Sequence, residues 1–97
     1  MRFEILLSPE AAEDLRNLKA NLRAAVRDAL EAHLRNAPTK LSRSRIKRLR
    51  GLSKPQVRLR VDDVRIFYDV VGARVEILAI VPKSETESWL NRHGNPE

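Results

Sequence analysis

At 97 residues the chain can build one hydrophobic core but not two, so residues 1–97 are predicted to form a single domain. It has no cysteine and only two histidines, His33 and His93, far apart in sequence. That excludes disulfides and thiolate chemistry and leaves a metal site almost no ligands, so no cofactor or metal is expected. Nineteen Lys/Arg against 13 Asp/Glu give a net charge of +6, and nine of those cations fall between Lys40 and Arg60, a stretch without a single acid.

The first element is a strand over Phe3–Leu7. Ser8-Pro9-Glu10 then supplies an N-cap, a proline at the first helical position and an acid in the first turn. Leu15, Leu18 and Leu22 make one helical stripe, and Val26, Ala29, Leu30 and Leu34 continue it, with a break expected near Lys19–Asn21. Two antiparallel helices are predicted, the second ended by Pro38. His33 lies on its flank as a structural or exposed residue. Between Thr39 and Pro55 there is no strand period, and Ser42–Leu49 is predicted as a short basic turn of helix. From Val57 the period becomes two. Val57–Val61 and Val64–Val70 flank a two-residue turn at Asp62-Asp63. A second turn at Gly72-Ala73 leads to a strand over Val75–Val81, apolar on both faces as expected inside a sheet. Ser84-Glu85-Thr86-Glu87 has the spacing of a capping box for a last helix through Leu90, stopped at Gly94. The predicted fold class is α+β, a two-layer arrangement of order βααβββ plus a short C-terminal helix. A helical hairpin packs on one face of a small, mostly antiparallel sheet. No apolar run is long enough to cross a bilayer, and Met1 leads straight into a strand-like segment, so a cytoplasmic protein is expected.

A two-residue turn at Asp62-Asp63 would set Val61 opposite Val64, Arg60 opposite Arg65, Leu59 opposite Ile66 and Arg58 opposite Phe67. One face is then wholly apolar, and the other gathers Arg58, Arg60, Arg65 and Phe67. Like charges directly opposed in a sheet are destabilising. Arg60 against Arg65 therefore implies an anion or a carboxylate nearby, and Asp69 is the acid on the same face. A basic run is more often a solvated loop than a site. Here it continues into a strand of fixed geometry, which favours a polyanion partner. Arg43, Arg45, Lys47, Arg48, Arg50, Lys54 and Arg60 are the candidate cations for such a partner. Lys83, just past the last strand, is placed to close the same basin. Arginine stays protonated at working pH, so it can clamp a phosphate but cannot act as a base. Proton transfer would fall to Lys, Asp or Tyr. No nucleophile motif and no glycine-rich phosphate loop is present.

Three segments carry a family likeness. They are Ser8-Pro9-Glu10-Ala11-Ala12-Glu13-Asp14-Leu15 after the first strand, Arg48-Leu49-Arg50-Gly51-Leu52, and Val57 through Val70 followed by Val75-Glu76-Ile77-Leu78-Ala79-Ile80-Val81-Pro82-Lys83-Ser84-Glu85. In this order they resemble a RelE/ParE superfamily toxin of bacterial type II toxin–antitoxin systems, over nearly the whole chain. The resemblance implies a small toxin held inactive by a cognate small antitoxin, meeting DNA only through the antitoxin complex and having no membrane partner. RelE-like members cleave mRNA on the ribosome, the 2′-OH attacking the adjacent phosphate. Carried over, Arg58 falls where a catalytic Lys is common, Arg65 matches a phosphate-binding Arg and Lys83 a second cation. These three are the candidate catalytic residues. Trp89 falls where a Tyr is expected, which keeps an aromatic for stacking but removes an ionisable hydroxyl. A nuclease member would bind RNA through Trp89 and the seven cations Arg43, Arg45, Lys47, Arg48, Arg50, Lys54 and Arg60. ParE-like members share the fold without the nuclease residues and poison DNA gyrase. The functions carried forward are thus a ribosome-dependent endoribonuclease, a gyrase-directed binding toxin, and a silent member that only binds its antitoxin.

Overall fold

The computed structural model describes residues 2–97. Strand β1 (Glu4–Leu7) turns its apolar residues Ile5 and Leu7 into the core. Ser8 follows and holds three bonds at once. Its hydroxyl accepts from Ala11 N as the N-cap of α1 (Pro9–Arg16) and donates to Leu78 O at 3.0 Å, while its N–H donates to Ile77 O at 2.9 Å. α1 ends at Asn17, and α2 (Ala20–Ala29) runs on through a wider π turn, Leu30–Leu34. The break falls at Asn17–Lys19, where Leu18 and the C-terminal end of α1 are tied by a hydrogen bond from Arg23 Nη2 to Leu18 O.

Five strands, β1, β2 (Ile46–Arg48), β4 (Val57–Val61), β5 (Val64–Val71) and β6 (Arg74–Pro82), form the main sheet in the order β1-β6-β5-β4-β2, with β1 and β6 parallel and the other pairs antiparallel. β4 (Val57–Val61) and β5 (Val64–Val71) pair in the predicted register, from Val61↔Val64 through Arg60↔Arg65 to Val57↔Tyr68. The turn between them puts Asp62 in the left-handed region at φ 50, which Asp tolerates better than most side chains. β6 (Arg74–Pro82) carries an extra residue: Phe67 faces Ala79 but Tyr68 faces Ile77, leaving Leu78 as a bulge. Without it, a strict period of two could not send both Ile77 and Ile80 to the helical side, where both are buried. Past the end of β1, Ile80 N–H would lack a partner, and Asp14 of α1 accepts it at 3.0 Å. Ser8 and Asp14 thus continue the hydrogen-bonding edge that β1 begins.

The core lies between the hairpin and the sheet. Ala11, Leu15, Val26, Leu30 and Leu34 meet Leu59, Ile66, Tyr68, Val75, Ile77 and Ile80. Tyr68 is fully buried, and its hydroxyl donates to Pro38 O at 2.6 Å, tying the loop after α2 to the central strand. Burial pushes its ionisation far above the ordinary phenol range, so this tyrosine is withdrawn from acid–base chemistry. Ile80 also faces this core rather than the outer face.

Two sequence expectations fail locally. Ser42–Leu49 is not helical. Ser42 Oγ accepts from Arg45 N and Ile46 N at 3.0 and 2.9 Å, making a side-chain turn, and the chain then enters strand β2 (Ile46–Arg48) along β4. Edge pairing outcompetes a helix that would have had no apolar stripe. The Ser84–Glu87 capping box does not form either. Lys83–Glu85 is a 3₁₀ turn, and α3 (Thr86–His93) starts at Glu85 with no side-chain cap. Gly94 does end α3. A Cβ there would sit 2.6 Å from Leu90 O, so the close approach of the chain, not a positive φ, requires glycine. Beyond it β7 (Asn95–Pro96) pairs with β3 (Leu52–Lys54), fastening the C-terminal segment to the loop before β4.

Tyr68→Phe should leave the fold intact but strip Pro38 O of its donor inside the core. The expected loss is about 1–2 kcal/mol, seen as a lower denaturation midpoint in urea at unchanged slope. An unchanged midpoint would show that the bond contributes nothing net.

Candidate functional site

The face of the sheet away from α1 and α2 has two halves. On β5 and β6, Phe67, Ala79 and Val81 are buried under α3, with Leu49, Trp89 and Leu90 packed against them. Trp89 stacks on Phe67 with ring centres 5.0 Å apart and planes 4° apart, and its other neighbour is His93 at 5.1 Å. One face of the indole is therefore occupied in docking α3, and only the remainder is open to a base. Leu78 and Leu6 lie farther along this face, at the β1 side.

The other half is cationic. Two registers, β2 on β4 and β4 on β5, line up Lys47, Arg58 and Phe67 in one row, with Arg60 and Arg65 in the next. Side chains directly opposed in a ladder share a face, so these four cations form one patch across three strands. Arg60 N–H donates to Arg45 O at 2.8 Å, which brings Arg45 to the same edge. Lys83 N–H donates to Asp63 O at 2.7 Å and sets Lys83 at the rim, beside the β4–β5 turn. None of Lys47, Arg58, Arg60, Arg65 or Lys83 makes an ion pair among the described residues.

Arg65 departs most from expectation. It is 6% exposed, and its Nη1 donates to Asp62 O and Val64 O, both at 3.0 Å. It clasps the turn whose register creates the patch. Its pKa is lowered by burial and by Arg60, with Asp63 partly opposing. Arg58, half-buried, is lowered by burial and then by Arg65 and Arg60. Burial and mutual repulsion among the three guanidiniums therefore act in the same direction at Arg58 and Arg65.

Asp69 does not neutralise them. Its carboxylate accepts from Gln56 N at 2.7 Å and lies 3.9 Å from Lys54 Nζ, four residues along β5 from Arg65, ~13 Å at the rise of a strand. Burial is the main cause that raises its pKa, and Gln56 N and Lys54 pull the other way. Lys54 is thereby committed to Asp69 and stands outside the patch. Arg43, Arg48 and Arg50 are exposed on the loops and edge around β2. The structure thus gathers Arg58, Arg65, Lys83, Arg60, Lys47 and Arg45, and leaves Arg43, Arg48, Arg50 and Lys54 peripheral. Sequence reading named Lys47 as a binding cation but placed it in a short turn of helix. Its place opposite Arg58 depends on a three-residue strand too short to show a period. Among the described residues no cluster of three His, Cys, Asp or Glu is set to hold a metal ion, and no helix is long and apolar enough to cross a membrane.

A mostly antiparallel sheet with a helical hairpin on one face is a fold that this chain shares with solved toxins of toxin–antitoxin pairs. Residues 5–87 match the family described as the ParE toxin of the type II toxin–antitoxin system, parDE, and the chain belongs to that family. Among solved structures, the RelBE2 toxin–antitoxin complex of Mycobacterium tuberculosis superimposes with a TM-score of 0.69 at 22% identity, over 84% of this chain and 99% of that one. The RelB–RelE complex of Methanococcus jannaschii gives 0.68 at 18% identity, over 87% and 96%. A mutant of the E. coli toxin RelE in the free state gives 0.68 at 18%, over 96% and 99%. No curated protein sequence matches the chain.

Arg65→Ala removes two charged hydrogen bonds and relieves one like-charge opposition. The first effect is the larger, ~1–3 against ~0.2–1 kcal/mol. A net destabilisation of about 1–2 kcal/mol is expected, against less than about 0.5 for the exposed Arg60→Ala. Urea denaturation of both variants checks the order. An Arg65 variant as stable as wild type would remove the clasp.

Proposed function

We propose that this toxin acts as a RelE-like, ribosome-dependent mRNA endoribonuclease, kept inactive by a small cognate antitoxin. The observation that carries the reading is the unneutralised patch of Lys47, Arg58, Arg60 and Arg65, held on fixed strands without a carboxylate partner. Such a patch is a costly arrangement for an isolated protein and a suitable one for a phosphodiester backbone. In the reaction the ribose 2′-oxygen bonds to the adjacent phosphorus, the 5′-oxygen leaves, and a 2′,3′-cyclic phosphate and a 5′-hydroxyl result. Charge accumulates on the two non-bridging oxygens, where Arg58 stabilises it as a fixed guanidinium. Arg65 holds the turn and contributes field more than contact. One proton must leave the 2′-hydroxyl and one must reach the 5′-oxygen. No arginine can carry either, so this role is assigned to Lys83 at the rim. A ribosomal target implies action in the cytoplasm. Two of the superimposable structures are complexes with antitoxins, which supports an antitoxin that covers the patch with carboxylates or an amphipathic segment. DNA would then be met only through that complex.

A gyrase-directed toxin is the second reading, and one observation favours it besides the matched family. The outer face presents no phenol, because Tyr68 is buried on the other side and Trp89 stands packed on Phe67.

Induction in a host without antitoxin separates the two. With labelled methionine and thymidine followed together, methionine incorporation should fall first, and primer extension should show cut mRNA. Arg58→Ala should slow cutting on purified ribosomes by ~10²-fold or more, the scale of removing one preorganised charge stabiliser. Thymidine incorporation falling first over intact mRNA would establish the gyrase reading instead.

A further inference from the structure

A groove of about 250 Å³ lies on the other side of the β2 edge, between the end of α2 and the loop that leads to β2. Its walls are apolar at Ala32, Ala37, Leu41 and Ile46 and cationic at Lys40 and Arg45, with the imidazole of His33 beside them. Leu41 is 56% exposed, the largest exposure among the big apolar side chains. Among the described residues, the side chains of His33, Lys40 and Arg45 make no hydrogen bond or ion pair, and no carboxylate lines the groove. Arg45 is common to two places. It lines this groove, and with Ser44, Arg60 and Asp62 it lines the cleft at the edge of the cationic patch. Cations therefore run from Arg65 through Arg60 and Arg45 to Lys40, with Asp62 as the one carboxylate lining the cleft and His33 at the far end.

We propose that the groove is a second RNA subsite. A single strand whose scissile phosphate lies on Arg58 would pass Arg60 and Arg45 around the sheet edge. It would then seat one nucleotide with its base on Leu41 and Ile46 and its phosphate among Lys40, Arg45 and His33. The groove is below the usual ~300–1,000 Å³ of a small-molecule pocket, which suits one nucleotide and excludes a duplex. This rests on the reading of the patch as an RNA site and extends its footprint to Lys40 and to His33, which sequence reading left as structural or exposed.

His33 gives the subsite a recognisable signature. Burial and the charge of Arg45 lower its pKa, so the free imidazole is neutral at pH 7. Arg45 and Lys40 are the charged groups that line the groove with it. A phosphodiester beside the ring favours the imidazolium, while its own charge is constant across this range. Binding should therefore tighten as pH falls through the His33 titration.

The test is fluorescence anisotropy of a labelled single-stranded oligouridylate decamer at pH 5.5 and 8.0 over a salt series. Wild type is compared with the patch variant Arg58→Gln/Arg60→Gln and the groove variants Lys40→Gln and His33→Gln. Circular dichroism checks that all are folded. The expected result is loss of affinity in both sets. The Lys40 variant should have a salt slope shallower by about 0.7, and His33→Gln alone should abolish the tightening at low pH. If the patch variant loses binding while both groove variants match wild type in slope and pH profile, the second subsite is wrong and the patch reading stands. Loss confined to the groove variants would break the continuous path and remove the patch as the RNA site. Absence of any binding by wild type would overturn both.

Discussion

The two-residue turn at Asp62–Asp63 fixes the register of β4 against β5, and the period of two then assigns every side chain of both strands to a face. A slip of β4 by one residue would bury Arg58 and Arg60 under the helices and expose Leu59. The core and the cationic patch are therefore two readouts of one pairing. Arg65 belongs to both sides of this bargain. It clasps the carbonyls of the turn while adding to the repulsion that the turn creates. Structure and site are chemically inseparable at that residue.

The bulge at Leu78 does for the other end of the sheet what the turn does for this one. It re-phases β6 so that Ile77 and Ile80 reach the helical core while Ala79 and Val81 remain on the outer face for α3 to cover. The irregular strand would leave backbone groups unpaired beyond β1. Ser8 and Asp14, on either side of the first turns of α1, take them up. This explains physically why Ser8 and Asp14 stand where they do in the first segment of family likeness. They are sheet-edge surrogates supplied by a helix.

Strong local periods made the central hairpin legible in the sequence, down to Arg60 facing Arg65, and Ser8-Pro9 gave the start of α1. What escaped depends on partners distant in the chain. β2 has three residues and shows no period. Its existence comes from the free edge of β4, and with it the position of Lys47. Asp69 looked like the neutraliser of the arginines because it shares their face. Sequence could not show that Gln56 N and Lys54 engage it first. Arg65 looked like an exposed cation because arginine usually is one. In the structure its side chain lies buried against Asp62 O and Val64 O. Tyr68 kept its place on the apolar face, but its bond to Pro38 O was invisible until the loop closed on it.

The opposition of Arg60 and Arg65 also makes folding a binding equilibrium. Any polyanion that recognises the patch recognises only the registered hairpin, so it adds to the stability of the native state by mass action. Carboxylates and phosphates would be interchangeable in that role, since either sets fixed negative charge between the guanidiniums. The unliganded chain is then the least stable form of the protein and the most exposed to proteolysis.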